Sequence, residues 1–123
     1  MPLFWTIASK KRLVTGTGEG DVTLAEAMSL LKVLEGAKAL SYRKLFDGRA
    51  VQSAMTPDEL LALCAEIRTY HEQGPLEAVA MVGTPEQTVM FARLLGALAS
   101  ANRPMKVFNS LRQAWNWLDQ QTR

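Results

Sequence analysis

Ala78-Val79-Ala80-Met81-Val82-Gly83-Thr84-Pro85-Glu86-Gln87 joins an uncharged apolar run to a helix-start signal. The run does not alternate polar with apolar, which suits a central strand covered on both faces. Thr84 and Gln87 stand three apart and Pro85 takes the first helical position. That is a capping box: the hydroxyl accepts from the N3 amide, and the Glu or Gln side chain reaches back to the cap amide.

The same signature recurs at Thr23–Glu26, Thr56–Glu59 and Ser110–Gln113. The four caps lie 33, 28 and 26 residues apart, about the length of a strand-plus-helix unit. The chain therefore reads as a small α/β domain of repeated units. Leu24, Ala27, Met28, Leu31 and Leu34 give the first helix a stripe over Leu24–Ala37, with Gly36 marking its end. Leu40–Phe46 reads as the third strand. Leu60, Leu63, Cys64 and Ile67 stripe a second helix over Pro57–Glu72, stopped by Gly74-Pro75. A third helix is expected over Pro85–Ala101, a strand over Met105–Phe108, and a fourth helix over Leu111–Gln120 packing Leu111, Ala114, Trp115 and Leu118.

Before the first helix, Leu3–Ala8 and Leu13–Thr17 are extended candidates around the polar Ser9-Lys10-Lys11-Arg12, an opening antiparallel hairpin. The order is ββαβαβαβα: a five-stranded mixed sheet with four helices. Strands joined through helices run parallel with right-handed crossovers. All of residues 1–123 forms a single domain, of a length that supports one core.

A net charge of +2 is too small to argue for nucleic acid, and the short runs Lys10-Lys11-Arg12 and Tyr42-Arg43-Lys44 read as solvated strand ends. The single cysteine, Cys64, cannot form an internal disulfide, so a reducing, cytoplasmic setting is expected. The opening residues do not read as a signal peptide. No apolar run approaches the ~18 residues of a membrane span.

Candidate chemistry is sparse. In Gly16-Thr17-Gly18-Glu19-Gly20-Asp21 the third glycine of a dinucleotide fingerprint is replaced by Asp21, and no Gly-Lys-Ser/Thr follows. The segment reads as a strand-to-helix turn. One histidine, His71, and one cysteine make no zinc set, so no metal or cofactor is expected. No acid, base and nucleophile converge, which points away from an enzyme. Tyr42–Arg49 is the most unusual segment: it places Arg43, Asp47 and Arg49 toward the end of a parallel strand, near the start of the second helix at Thr56. Ligands bind open α/β sheets at that edge. The alternative is that Asp47 pairs with Arg49 or accepts loop amides and simply holds the turn. The third helix carries one charge, Arg93, between Glu86 and Arg103. Such a helix is either sandwiched or at an interface. A homodimer through the third or fourth helix, with Phe91, Leu95 and Trp117 at its surface, is expected.

The element order resembles the SpoIIAA-like, or STAS-like, class of small bacterial domains, which includes anti-sigma-factor antagonists and the cytoplasmic domains of sulfate transporters. A strand ending in Asp47, a turn through Val51 and a helix led by Thr56 are similar to that class's central strand–loop–helix. Tyr42–Arg49, Arg103-Pro104 with Val107-Phe108, and Ala114–Leu118 are similar to its uncharacterised stand-alone bacterial members. The resemblance implies a non-enzymatic regulatory module that binds a protein partner or itself. A small-ligand module for a nucleotide or lipid is the alternative. Antagonists of the class carry an Asp-Ser-Ser-Gly-like sequence with a phosphorylatable serine at the head of the second helix. This chain has Met55-Thr56-Pro57-Asp58, leaving Ser53 and Thr56 as the phosphosite candidates.

Overall fold

The computed structural model describes residues 3–52, 56–71, 77–87 and 105–121. Five strands form one sheet in sequence order: β1 (Leu3–Ala8), β2 (Leu13–Gly20), β3 (Arg43–Val51), β4 (Val79–Val82) and β5 (Met105–Phe108). β1 and β2 are antiparallel, and every later pair is parallel. The helices are α1 (Leu24–Gly36), α2 (Pro57–His71), α3, which opens at residues 85–87, and α4 (Leu111–Gln120). The expected bodies of the third helix (with Phe91 and Leu95), Ser53, the Gly74-Pro75 stop and Arg103-Pro104 lie outside the described residues.

The four parallel strands advance across the sheet without reversing. Right-handed crossovers therefore put α1 and α2 on one face, while α4 covers the other. The two halves of the core follow this division. On one face α1 packs Leu34 against Val14 and Ala39, with Ile7, Leu30, Leu40 and Tyr42 around them. α1 also lies against α2. On the other, α4 sets Ala114 and Leu118, both fully buried, onto Leu45, Ala80 and Val82. Alanines at 80 and 114 allow the helix close to the sheet. Trp115 and Trp117 are both half-buried against this core, and Trp117 tilts onto Phe108 with ring centroids 5.7 Å apart.

Three expectations require correction. The Gly16–Asp21 turn is the second half of β2, which runs to Gly20. Its glycines make room: a Cβ at Gly16 would stand 3.3 Å from the Phe46 ring, and one at Gly18 would stand 2.5 Å from Cγ2 of Val51. The third strand begins at Arg43 rather than Leu40 and continues to Val51 rather than stopping at Phe46. Its start is delayed because α1 ends at Gly36 in a capping turn that takes up the next residues. Lys38 takes the left-handed conformation (φ 57°), Lys38 N–H donates to Glu35 and Ala39 N–H to Leu34, the two bonds of a Schellman motif. A turn from Ala39 to Tyr42 follows.

Third, the run Tyr42-Arg43-Lys44 is not a solvated strand end. The Lys44 ammonium donates to the carbonyls of Ala39, Leu40 and Tyr42, closing the turn that precedes β3. Arg43 is only 8% exposed. It donates to the Lys11 carbonyl at 3.2 Å and lies 3.8 Å from Asp119 of α4. Arg12 is likewise engaged. It adopts φ 49°, pairs with Glu77 at 2.6 Å, donates to Ser41 and lies over the Tyr42 ring.

Candidate functional site

Parallel strands bring their C-terminal ends together, and the starts of α2 and α3 follow from that edge. β3 reaches furthest. It pairs with β4 only as far as Asp47, opposite Val82. Beside β2 it continues: Thr17 faces Asp47 while Glu19 faces Ala50, so β3 holds one extra residue between them. That bulge re-aims the strand. Arg49 lies within it, two residues beyond Asp47.

The result is a closed pair. Arg49 Nε donates to Asp47 Oδ1 at 2.9 Å and Nη2 to Oδ2 at 2.7 Å, while the Arg49 backbone N–H also donates to Oδ1 at 3.1 Å. Bidentate geometry of this kind is the strong form of a charge-assisted hydrogen bond. The Arg49 hydrogen bonds hold the Asp47 carboxyl below the usual carboxylate range, against a partial opposing push from burial. The same partner raises the Arg49 guanidinium above its ordinary value. Both residues belong to the continuing strand, not to a loop as the sequence suggests.

The neighbouring helix starts are satisfied in the same way. Thr56 N–H donates to Glu59 at 3.0 Å and Glu59 N–H to the Thr56 hydroxyl at 3.2 Å. Thr84 and Gln87 reciprocate at 2.8 and 3.3 Å. Gln87 does more, because its side-chain amide donates to the Val51 carbonyl at 2.9 Å and so ties the start of α3 to the end of β3. The other two boxes are incomplete. At Thr23 the hydroxyl caps Glu26 N–H and itself donates to the Glu26 carboxylate. At Ser110 the described bond is the one from Gln113 N–H to the hydroxyl.

The structure thus joins Asp47 to Arg49 near the end of β3, and the exposed Thr56 caps the helix that follows that strand in the chain. It separates Arg43, which sits four residues earlier on β3, about 13 Å away along the strand. Arg43 is buried against β2's start and α4 rather than offered to a ligand. Cys64 is buried, and burial pushes its thiol upward, so a thiolate nucleophile is disfavoured. Among the described residues no cluster of three or more metal-ligating side chains occurs, and no helix is long and apolar enough to cross a membrane. Sequence reading missed the Gln87–Val51 tie and the Lys44 carbonyl cage. Neither leaves a spacing signal, because each joins a side chain to backbone groups placed by tertiary structure.

With this architecture, a five-stranded mixed sheet carrying helices on both faces, the chain belongs to the SpoIIAA-like family, whose model matches residues 13–119. Its fold is similar to that of an uncharacterized SpoIIAA-like protein from Shewanella loihica, with 17% identity, a TM-score of 0.67 and coverage of 94% of this chain and 93% of that one. It is also similar to an anti-sigma factor antagonist from Mycobacterium paratuberculosis, with 16% identity, a TM-score of 0.59 and coverage of 95% and 94%. No curated protein matches the chain.

Proposed function

We propose that this protein is a non-enzymatic regulatory module that binds a protein partner through the strand-end edge formed by Asp47–Val51 and the start of α2 at Thr56. The observation carrying this reading is the Asp47–Arg49 pair. Among the described residues of this edge, Asp47 and Arg49 satisfy one another and Thr56 is engaged with Glu59. The Arg49 side chain keeps 45% of its surface exposed while its charge is held in place. Membership of the SpoIIAA-like family and the fold shared with an anti-sigma factor antagonist support the same reading. Reducing compartments such as the cytoplasm suit the unpaired Cys64.

Thr56 serves as a cap in this reading, and phosphorylation there or at Ser53 is not needed for docking. Self-association through α3 or α4, with Phe91, Leu95 and Trp117 as candidate contacts, is a separate part of the proposal. Capture from the source cells tests the docking edge. A defined protein should be retained by the wild type and lost with Arg49→Glu, while circular dichroism shows the variant folded. Equal retention by both, or a nucleotide or lipid carried by the purified protein in native mass spectrometry and lost with Arg49→Glu, would overturn it.

A further inference from the structure

The two edges of the sheet differ. β5 is four residues long and carries the exposed Lys106, a common protection against edge pairing. β1 is six residues, Leu3-Phe4-Trp5-Thr6-Ile7-Ala8, with no charge, no proline and an unbroken register against β2. Among the described residues β1 pairs with β2 alone and ends the sheet. Phe4 is 51% exposed on it.

The ends of this edge carry opposite charge. Leu3 lies opposite Gly18 and Ala8 opposite Leu13, so β2's exposed Glu19 and, just beyond, Asp21 stand at the Leu3 end. The exposed Lys10 and Lys11 follow Ala8 at the other end. Among the described residues none of the four is in an ion pair.

We propose that β1 is a self-pairing edge: two copies of this chain join their β1 strands antiparallel about a two-fold axis, making a continuous ten-stranded sheet. Charge complementarity selects this occupant and orientation. An antiparallel two-fold sets the lysines of each copy beside the acidic end of the other, twice. A parallel pairing would set like charge on like. An axis perpendicular to the sheet also keeps Leu3, Trp5 and Ile7 of both copies on the same face, because alternate residues share a face. Residue identities impose no like-charge conflict within the six-residue run. The interface is small, which places it among weak, reversible associations rather than obligate dimers. The inference is independent of docking at the opposite strand ends.

Charge exchange tests it. In analytical ultracentrifugation from micromolar to millimolar concentration, the wild type should rise above the monomer mass of 13.6 kDa. Lys10→Glu with Lys11→Glu makes both ends of the edge acidic, and Glu19→Lys with Asp21→Lys makes both ends basic. Each double variant should self-associate at least about tenfold more weakly. Mixed together, they should recover wild-type strength as a heterodimer. Added salt should weaken the wild-type dimer. All four residues are exposed, and far-ultraviolet circular dichroism checks that the variants remain folded. A wild type that stays monomeric throughout would overturn the proposal. So would a dimer unaffected by either exchange, or a mixture that fails to recover; an unaffected dimer would place self-association on another surface, such as α4.

Discussion

Lys38 sits where a glycine would serve the backbone better. Its φ of 57° places a side chain in the left-handed region, which costs an L-residue roughly 1 kcal/mol. Lys38→Gly should therefore raise the midpoint of thermal unfolding by a few degrees, provided the Schellman bonds persist. An unchanged or lower midpoint would show that the lysine side chain compensates for its conformation. Asp47 illustrates the opposite case, a residue held by its partners. Asp47→Asn should lower the unfolding temperature, and a double-mutant cycle with Arg49→Ala should show coupling. The pH dependence has a definite sign. A carboxyl depressed in the folded state stabilises it above the unfolded-state value. That contribution disappears as pH falls through the ordinary carboxylate range toward the folded value. Acid titration of stability should thus be shallower in Asp47→Asn than in the wild type. The pairing of Asp47 with Arg49 was one of two readings open from their two-residue spacing. The spacing alone did not decide between them; the bidentate geometry does.

At the level of elements, the helix starts were legible and the strand ends were not. All four capping positions lie where the spacing of Ser or Thr before Glu or Gln places them, because a cap is local chemistry within four residues. The extents of β2 and β3 depend on each other. Gly16 and Gly18 look like turn residues until Phe46 and Val51 of the neighbouring strand are laid over them. Gly18→Ala should destabilise by about 1–3 kcal/mol, since the new Cβ meets Val51 and Phe46 side chains inside a packed layer. Denaturant unfolding reads this directly, and a neutral result would mean that the β2–β3 pairing yields at little cost. Among the caps, Thr84→Ala removes the hydroxyl that positions Gln87 and with it the tie to Val51. It should cost about 0.5–2 kcal/mol and exceed the cost of Ser110→Ala, where a single cap bond is described. Equal losses would show that the Gln87 tie adds nothing to stability.

Across the whole molecule, the sheet order and the placement of helices follow from three parallel crossovers advancing in one direction. The sequence pattern announces each strand–helix unit and its parallel pairing, but the direction in which successive crossovers step is seen only in the sheet itself. Residues that engage distant partners were the hidden ones. Arg43 and Lys44 look like a surface basic pair, yet one is buried beside α4 and the other closes the turn before β3. Neither arrangement could be read without knowing that β3 lies between β2 and β4. Consequently the candidate site shrinks to Asp47, Arg49 and Thr56, and Arg43 moves from ligand candidate to framework. Docking of a protein at this strand-end edge is read by hydrogen–deuterium exchange on the protein bound to a partner captured from its source cells. Binding should slow exchange over residues 47–52 and 56–59, and the protection should be lost when Arg49 is replaced by Glu. Protection confined to other elements, with this edge unchanged on binding, would contradict it.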